Sequence, residues 1–472
     1  LQSILRVVVT AILARILDPE HFGIIAAAMI VISFTTMLSQ VGLAPALVQA
    51  EELSSRILDI AFSLSILIGL LMCVLFYFLN PLISLFFEID GLLPVLNVLI
   101  LLFPIMSIIQ ISTGILQRKM KFKKMAGLDV ISYLVGYGII GIVLSYYGYG
   151  VWSLVWATII QSILYAILLI IVNPHKFKLC FRFSEISGIL KYGSSFTLVK
   201  FFNFFAMKGD YIVVGKLLGA DSLGIYSRAY GLMNAPNSVT GKVMQTVFFS
   251  SFSRIQNDRE KTSLNLERGL EILFLLIIPT SLLCYLLAPE LVILLLGPKW
   301  NLVVLPFQIL AISIIFRMAY KMMASMVLGT GKAMPYAQVQ FFFMIAALAG
   351  SYIGAKLGGT PGTAVGVSLA ILINYLLIAR LVIRHSNLEF MDLFRSSIPG
   401  LVISIFFCVI SFPLVYYLRL MVIYPILIVC FLTLLYALVG IIIIIFEIRL
   451  PGSKHGLWFI KYIKNRVQNI GS

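Results

Sequence analysis

Residues 12–26 read Ile12-Leu13-Ala14-Arg15-Ile16-Leu17-Asp18-Pro19-Glu20-His21-Phe22-Gly23-Ile24-Ile25-Ala26. An apolar helix closes on a basic residue, a proline and an acid open the next, and a glycine follows three residues after the acid. Proline suits the first helical turn, an acid there is favoured by the helix dipole, and glycine admits a neighbouring helix at close range. The pattern returns without gaps 201 residues later, as Val213-Val214-Gly215-Lys216-Leu217-Leu218-Gly219-Ala220-Asp221-Ser222-Leu223-Gly224-Ile225-Tyr226-Ser227. Arg15 corresponds to Lys216, Glu20 to Asp221 and Gly23 to Gly224. The chain therefore reads as an internal repeat of helical hairpins.

Outward from these two copies the sequence is apolar almost throughout. Hydrophobic residues make up 61% of the 472 and charged residues 11%, against roughly 25% charged in soluble proteins. Apolar stretches fall at 1–17, 22–48, 57–79, 92–116, 126–147, 151–172, 192–219, 223–249, 268–288, 303–328, 335–356, 361–383, 397–417 and 421–447. At ~1.5 Å of rise per residue each is long enough to cross a hydrocarbon core ~30 Å thick. The expected fold is all-α: a polytopic membrane protein of about 14 transmembrane helices, with two six-helix lobes and two extra C-terminal helices. An offset of six spans keeps the direction of crossing, so the lobes are parallel repeats. The expected divisions are an N-lobe at 1–172, a linker at 173–191, a C-lobe at 192–383, two further spans at 397–447 and a basic tail at 448–472. Gly148-Tyr149-Gly150 and Gly358-Gly359-Thr360-Pro361-Gly362 are expected to be tight turns.

Loops after even-numbered spans, with the tail and with Arg268 at the first position of span nine, hold 22 of the 35 lysines and arginines. Loops after odd-numbered spans, counted with the last few residues of those spans, hold five: Arg15, Lys216, Lys299, Lys356 and Arg419. Positive loops stay in the cytoplasm, so both termini are expected there. The net charge of +16 then belongs to loops facing anionic headgroups, and no nucleic-acid partner is needed. Cys73, Cys180, Cys284, Cys408 and Cys430 form no C-x-x-C pair, so neither a disulfide framework nor a metal site is expected. The first apolar run is expected to continue upstream of Leu1, and no signal-peptide cleavage site follows it.

Leu13–Gly23, Gly209–Tyr226 and the run Leu116-Gln117-Arg118-Lys119-Met120-Lys121-Phe122-Lys123-Lys124 together resemble the Wzx-type lipopolysaccharide and exopolysaccharide flippases. These form a branch of the multidrug/oligosaccharidyl-lipid/polysaccharide (MOP) exporter superfamily. The resemblance covers spans 1–12, and spans 13–14 by count alone. It implies two lobes around a central cavity, alternating access, and a polyprenyl-pyrophosphate-linked oligosaccharide carried across a bacterial inner membrane. It also implies that the polyprenyl tail leaves between spans 1 and 8, and that other polysaccharide-assembly membrane proteins are partners.

Eight basic residues fall inside the expected spans: Arg6, Lys200, Lys208, Arg228, Lys242, Arg317, Lys321 and Arg380. Each costs ~2.5–3.5 kcal/mol at a helix centre. Lys242, Lys321 and Arg380 lie near cytoplasmic ends, where a long side chain can snorkel. Arg6 and Lys208, near-equivalent in the repeat, each precede the outer end of their helix by 11 residues, or ~16 Å. Arg317 is ~21 Å into span ten. Arg6, Lys200, Lys208, Arg228 and Arg317 are therefore the candidate substrate-binding residues, a cationic lining for a pyrophosphate. Asp59 and Asp129 lie near cytoplasmic ends. Asp210, deep in span seven, is either a local partner of Lys208 or a coupling site for H+ or Na+; no other cofactor is expected. Asn97, Gln110, Gln161, Asn203, Gln338, Gln340 and Asn374 are available for sugar hydroxyls or for interhelical hydrogen bonds.

Two other readings fit less well. A membrane-embedded glycosyltransferase needs an acidic or metal-binding cluster, whereas His21, His175, His385 and His455 are scattered, so the chain reads as no enzyme. A multidrug exporter of the same superfamily would be expected to line its cavity with carboxylates, and this interior is net basic.

Overall fold

The computed structural model describes residues 2–39, 55–174, 187–256, 258–421 and 424–445; the side chains of Lys242, Cys180 and the basic tail lie outside what is described. Among the described residues there is no strand, and a helix stands at each of the fourteen expected positions. Within those described residues, eight helices are long and apolar enough to cross a membrane on their own, or nine with one bent pair. The count rises because two long helices are hairpins. Ser187–Arg254 breaks at Gly219 (φ 80°) and Ala333–His385 breaks at Gly358 and Gly359 (φ 57°). Spans seven and eight, and eleven and twelve, are their arms.

Two spans depart from simple rods. The fourth is the bent pair Leu92–Leu99 and Leu102–Arg118, with 41° between its halves. Pro104 sits in the first turn of the second half and has no N–H to continue the ladder. In the fifth, Phe122–Tyr133 and Ile142–Tyr146 flank a π-helical stretch, Leu134–Gly141. Only its three glycines mark that stretch in the sequence.

The chain divides into two compact units, Leu1–Ser227 and Arg228–Ser472. Span seven belongs to the first unit, together with the first six. Span two holds it along its length. Near one end, a side chain on Gly23 would overlap the carbonyl of Ala220, and one on Gly224 would overlap that of Pro19. Further along, Phe34 packs on Phe201, Phe204 and Phe205 with ring centroids 5.3–6.4 Å apart. The glycine contact is reciprocal: Ala220 is the repeat counterpart of Pro19, and Gly224 that of Gly23. The two copies of the motif thus meet through a local two-fold relation.

The same end of this unit carries the other odd-numbered turns. Gly150 abuts His21, Gly215 abuts Phe87, and Lys216 Nζ reaches Glu88 Oε1 at 2.9 Å. Among the described residues, the end of span six meets the turn after span four at the opposite end, where Lys119 Nζ donates to Asn173 Oδ1 at 2.9 Å. Up-and-down crossing is therefore a property of the folded unit.

In the second unit, Val304–Gly329 packs on both arms of the Ala333–His385 hairpin. Phe316 lies 5.5 Å from Tyr375 and Tyr320 lies 6.1 Å from Phe343, centroid to centroid. Ile398–Leu420 packs on Arg259–Leu286 with Gly400 against the Phe274 carbonyl. Its far end is clasped. Arg419 Nε and Nη2 meet Glu290 Oε1 and Oε2 at 2.7 and 2.9 Å, and Nη2 also donates to the Leu286 carbonyl at 2.9 Å. Glu290 is buried, so the fork is partly desolvated. Glu290→Gln should cost about 2 kcal/mol, the usual range for a charge-assisted hydrogen bond. A thermal-shift assay in detergent would read it; an unchanged midpoint would mean that span thirteen is held by packing alone.

Candidate functional site

The candidate cations are placed by helices of both units. In the first unit, Arg6 on Gln2–Ile16 and Lys208 on the first arm of Ser187–Arg254 both lie ~16 Å below the Gly23–Gly224 contact, by helical rise. They share a depth, as their repeat positions require. Arg6 Nη2 meets Asp129 Oδ2 at 3.1 Å, and its guanidinium lies 5.3 Å from the Tyr133 ring centroid. Asp129 Oδ1 accepts from Gln161 Nε2 at 3.4 Å. Tyr133 stacks on Tyr137 at 5.1 Å, and Tyr137 shares a 2.6 Å hydrogen bond with Thr158. Tyr137 lies within the π-helical stretch, a distortion that recurs at functional positions.

Lys208 Nζ sits 4.5 Å from the Tyr211 ring centroid. Asp210 is 2% exposed. Its Oδ1 accepts from the Tyr211 N–H at 2.9 Å and its Oδ2 from the Tyr226 hydroxyl at 2.8 Å. Tyr226 belongs to the other arm of the hairpin, so Asp210 braces the turn at Gly219. Lys200 has a helical backbone, and its side chain lies outside the described residues. Arg228 is partly buried at the start of the second unit's share of the helix.

Arg317 is the most enclosed of the candidate cations described, at 4% exposure. Its Nη1 donates to the Tyr230 hydroxyl at 2.6 Å, with the guanidinium 5.0 Å from that ring's centroid. One turn before, Ser313 Oγ donates to the Leu310 carbonyl at 2.7 Å. Gln340 (1% exposed) and Asn374 (0%) stand on the buried faces of the two hairpin arms that pack on the Arg317 helix. Among the described residues the Gln340 Nε2 and both polar atoms of the Asn374 amide have no hydrogen-bond partner. Buried amides without partners cost ~1–3 kcal/mol each, and such groups are retained where a ligand or water is to be met.

The polar residues named from sequence divide accordingly. Asn97 pairs with Asn80 at 2.9 Å and Gln161 serves Asp129, the interhelical role. Gln110, Gln340 and Asn374 are buried, while Asn203 is exposed. Sequence reasoning missed Tyr230, Tyr133 and the role of Asp129. The last was within reach: Asp129 lies seven residues into its helix from Phe122, ~10 Å, a depth that complements that of Arg6.

A family model described as polysaccharide biosynthesis protein matches residues 12–305. The succinoglycan biosynthesis transport protein ExoT of Rhizobium meliloti (strain 1021) is 28% identical over 297 residues, 63% of this chain and 60% of that protein. The lipopolysaccharide biosynthesis protein WzxC of Escherichia coli (strain K12) is 23% identical over 79% of this chain and 76% of its own. The match thus spans less than two thirds of the first relative and about three quarters of the second. Among solved structures, the lipid II flippase MurJ in an inward closed conformation superposes with a TM-score of 0.73 at 17% identity, covering 92% of this chain and 96% of that one. An inward-facing multidrug-resistance MATE transporter of the MOP superfamily gives 0.66 at 15% identity, covering 82% and 95%. At those identities the two structures speak for the fold.

Proposed function

The chain belongs to the polysaccharide biosynthesis protein family, and on that premise we propose that it is a flippase. Its cargo is a polyprenyl-pyrophosphate-linked oligosaccharide, the repeat unit of a polysaccharide, carried across a bacterial inner membrane by alternating access, with both termini cytoplasmic. The observation that carries this reading is Arg317: a guanidinium closed from solvent, held by a tyrosine hydroxyl, with unsatisfied amides on the helices packed against its own. A cation in that setting is stabilised by an anion, and a planar fork matches phosphate oxygens in pairs. Gln340 and Asn374 supply donors and acceptors suited to sugar hydroxyls. Arg6, Lys200 and Lys208 of the first unit and Arg228 of the second are further candidate cargo-binding cations, and Asp210 is a candidate coupling carboxylate. The names of ExoT and WzxC, which tie those proteins to polysaccharide assembly, support the cargo class. A cation exporter would gain nothing from this lining.

The test is reconstitution in vesicles carrying a fluorescently tagged polyprenyl-pyrophosphate oligosaccharide, with a membrane-impermeant quencher added outside. The protein should render the inner-leaflet pool quenchable. Vesicles in which that pool stays protected, with the protein folded and inserted, would overturn the reading.

A further inference from the structure

We propose that Lys321 is the second cation of the Arg317 site, and that the pair makes this site select a diphosphate over a monophosphate. This rests on the flippase reading above and narrows its cargo. Lys321 stands four residues after Arg317 on the helix Val304–Gly329. That spacing puts the two Cβ atoms ~5–6 Å apart on one face. Around the helix, Lys321 lies ~40° from Arg317 and ~180° from Ile312. Leu305 and Ile312 are exposed, at 53% and 50%, on that far side, the apolar face suited to lipid. The near face is where span eight sits: Arg317 reaches Tyr230, and Ser313 Oγ donates to Met233 Sδ at 3.6 Å.

Snorkelling does not account for this placement. Eight residues separate Lys321 from the end of its helix at Gly329, a rise of ~12 Å and farther than a lysine stem reaches. Lys321 is partly buried. Among the described residues its ammonium makes no hydrogen bond and no ion pair, and the charge that it feels is that of Arg317. Like charges one turn apart repel, and burial removes the water that would screen them. The empty site thus holds two cations that each gain from an anion. A monophosphate on the Arg317 fork leaves Lys321 bare. A diphosphate gives Arg317 one phosphate and Lys321 the next, so each cation meets a negative charge. A compact ammonium on a flexible stem can follow the second phosphate, whereas the planar fork of Arg317 fixes the first.

The test compares farnesyl pyrophosphate with farnesyl monophosphate, soluble prenyl compounds that share a tail and differ by one phosphate. Binding to the purified full chain in detergent is read by calorimetry. Wild type should prefer the diphosphate by about tenfold, the worth of one charge-assisted hydrogen bond. Lys321→Gln and Lys321→Met should lose most of that preference by weakening the diphosphate alone, and Lys321→Arg should keep it. Both neutral variants should melt no lower than wild type, because they remove a repelling charge and no partner. A lowered midpoint with the preference intact would make the lysine structural and overturn the proposal. Arg380, exposed on the same unit, is the control for the general field: Arg380→Gln should leave the preference at its wild-type value, and an equal loss there would also overturn the assignment. An intact preference in Lys321→Gln, with Arg317→Ala weakening both probes, would sink this inference and leave the flippase reading standing. Failure of the flippase reading looks different: Arg317→Ala would bind both probes like wild type, and the inference would fall with it.

Discussion

Arg317→Ala is expected to lower transport by more than thirtyfold while leaving the protein folded and inserted. Truncating one partner of a buried, hydrogen-bonded charge pair costs ~2–5 kcal/mol, and each ~1.4 kcal/mol is tenfold. The empty state also loses the hydrogen bond to Tyr230, a cost that the folding check reads separately from the loss of the cargo contact. Arg317→Lys keeps the charge and loses the planar fork, so its rate should lie between wild type and alanine. Tyr230→Phe should be milder than either, since the guanidinium keeps the ring beneath it. The measurement is the vesicle quenching rate per inserted protein, with gel filtration as the check on folding. Wild-type rates in Arg317→Ala would take this residue out of the cargo's path.

Gly23→Val and Gly224→Val should each prevent a stable fold or leave a protein that cannot cycle. At both positions a Cβ would run into a backbone carbonyl, that of Ala220 or of Pro19, and backbone cannot rotate aside as a side chain can. Overpacking costs ~1–3 kcal/mol per site where side chains can yield; here two hairpins must separate. Alanine at either site should lower the melting midpoint by several degrees, and the two effects should be similar because the contact is reciprocal. Gly127, in the helix Phe122–Tyr133, is the control, because a Cβ there would meet nothing within 4 Å. Gly127→Ala should be neutral or slightly stabilising, as alanine exceeds glycine in helix propensity by ~1 kcal/mol. Equal effects at Gly23, Gly224 and Gly127 would show that propensity, and not the contact, is being measured.

Much of the architecture is legible in the sequence because a bilayer imposes one rule: every backbone polar group must be satisfied within its own helix. Apolar length therefore reports helices directly, and the hairpin turns at Gly148–Gly150 and Gly358–Gly359 stand where glycine and proline announce them. The repeat was legible for a related reason. Two hairpins that touch backbone to backbone need glycine at the touching points, so Gly23 and Gly224 left the same mark 201 residues apart. The bend before Pro104 and the π-helical stretch after Tyr133 were not legible as spans, since hydropathy averages over both.

The site was legible in its charges and not in its partners. Sequence alone determined that Arg6, Lys208 and Arg317 sit deep in apolar helices, because depth is counted along one chain and insertion penalises charge wherever it falls. The tertiary structure decided what each one meets: Asp129 for Arg6, the Tyr211 ring for Lys208, the Tyr230 hydroxyl for Arg317. It also gave Asp210 to Tyr226, sixteen residues on across a turn. Depth is a one-dimensional quantity fixed by helical rise, whereas a partner is chosen by which faces of which helices pack together, and packing depends on side-chain shape from segments far apart in the chain.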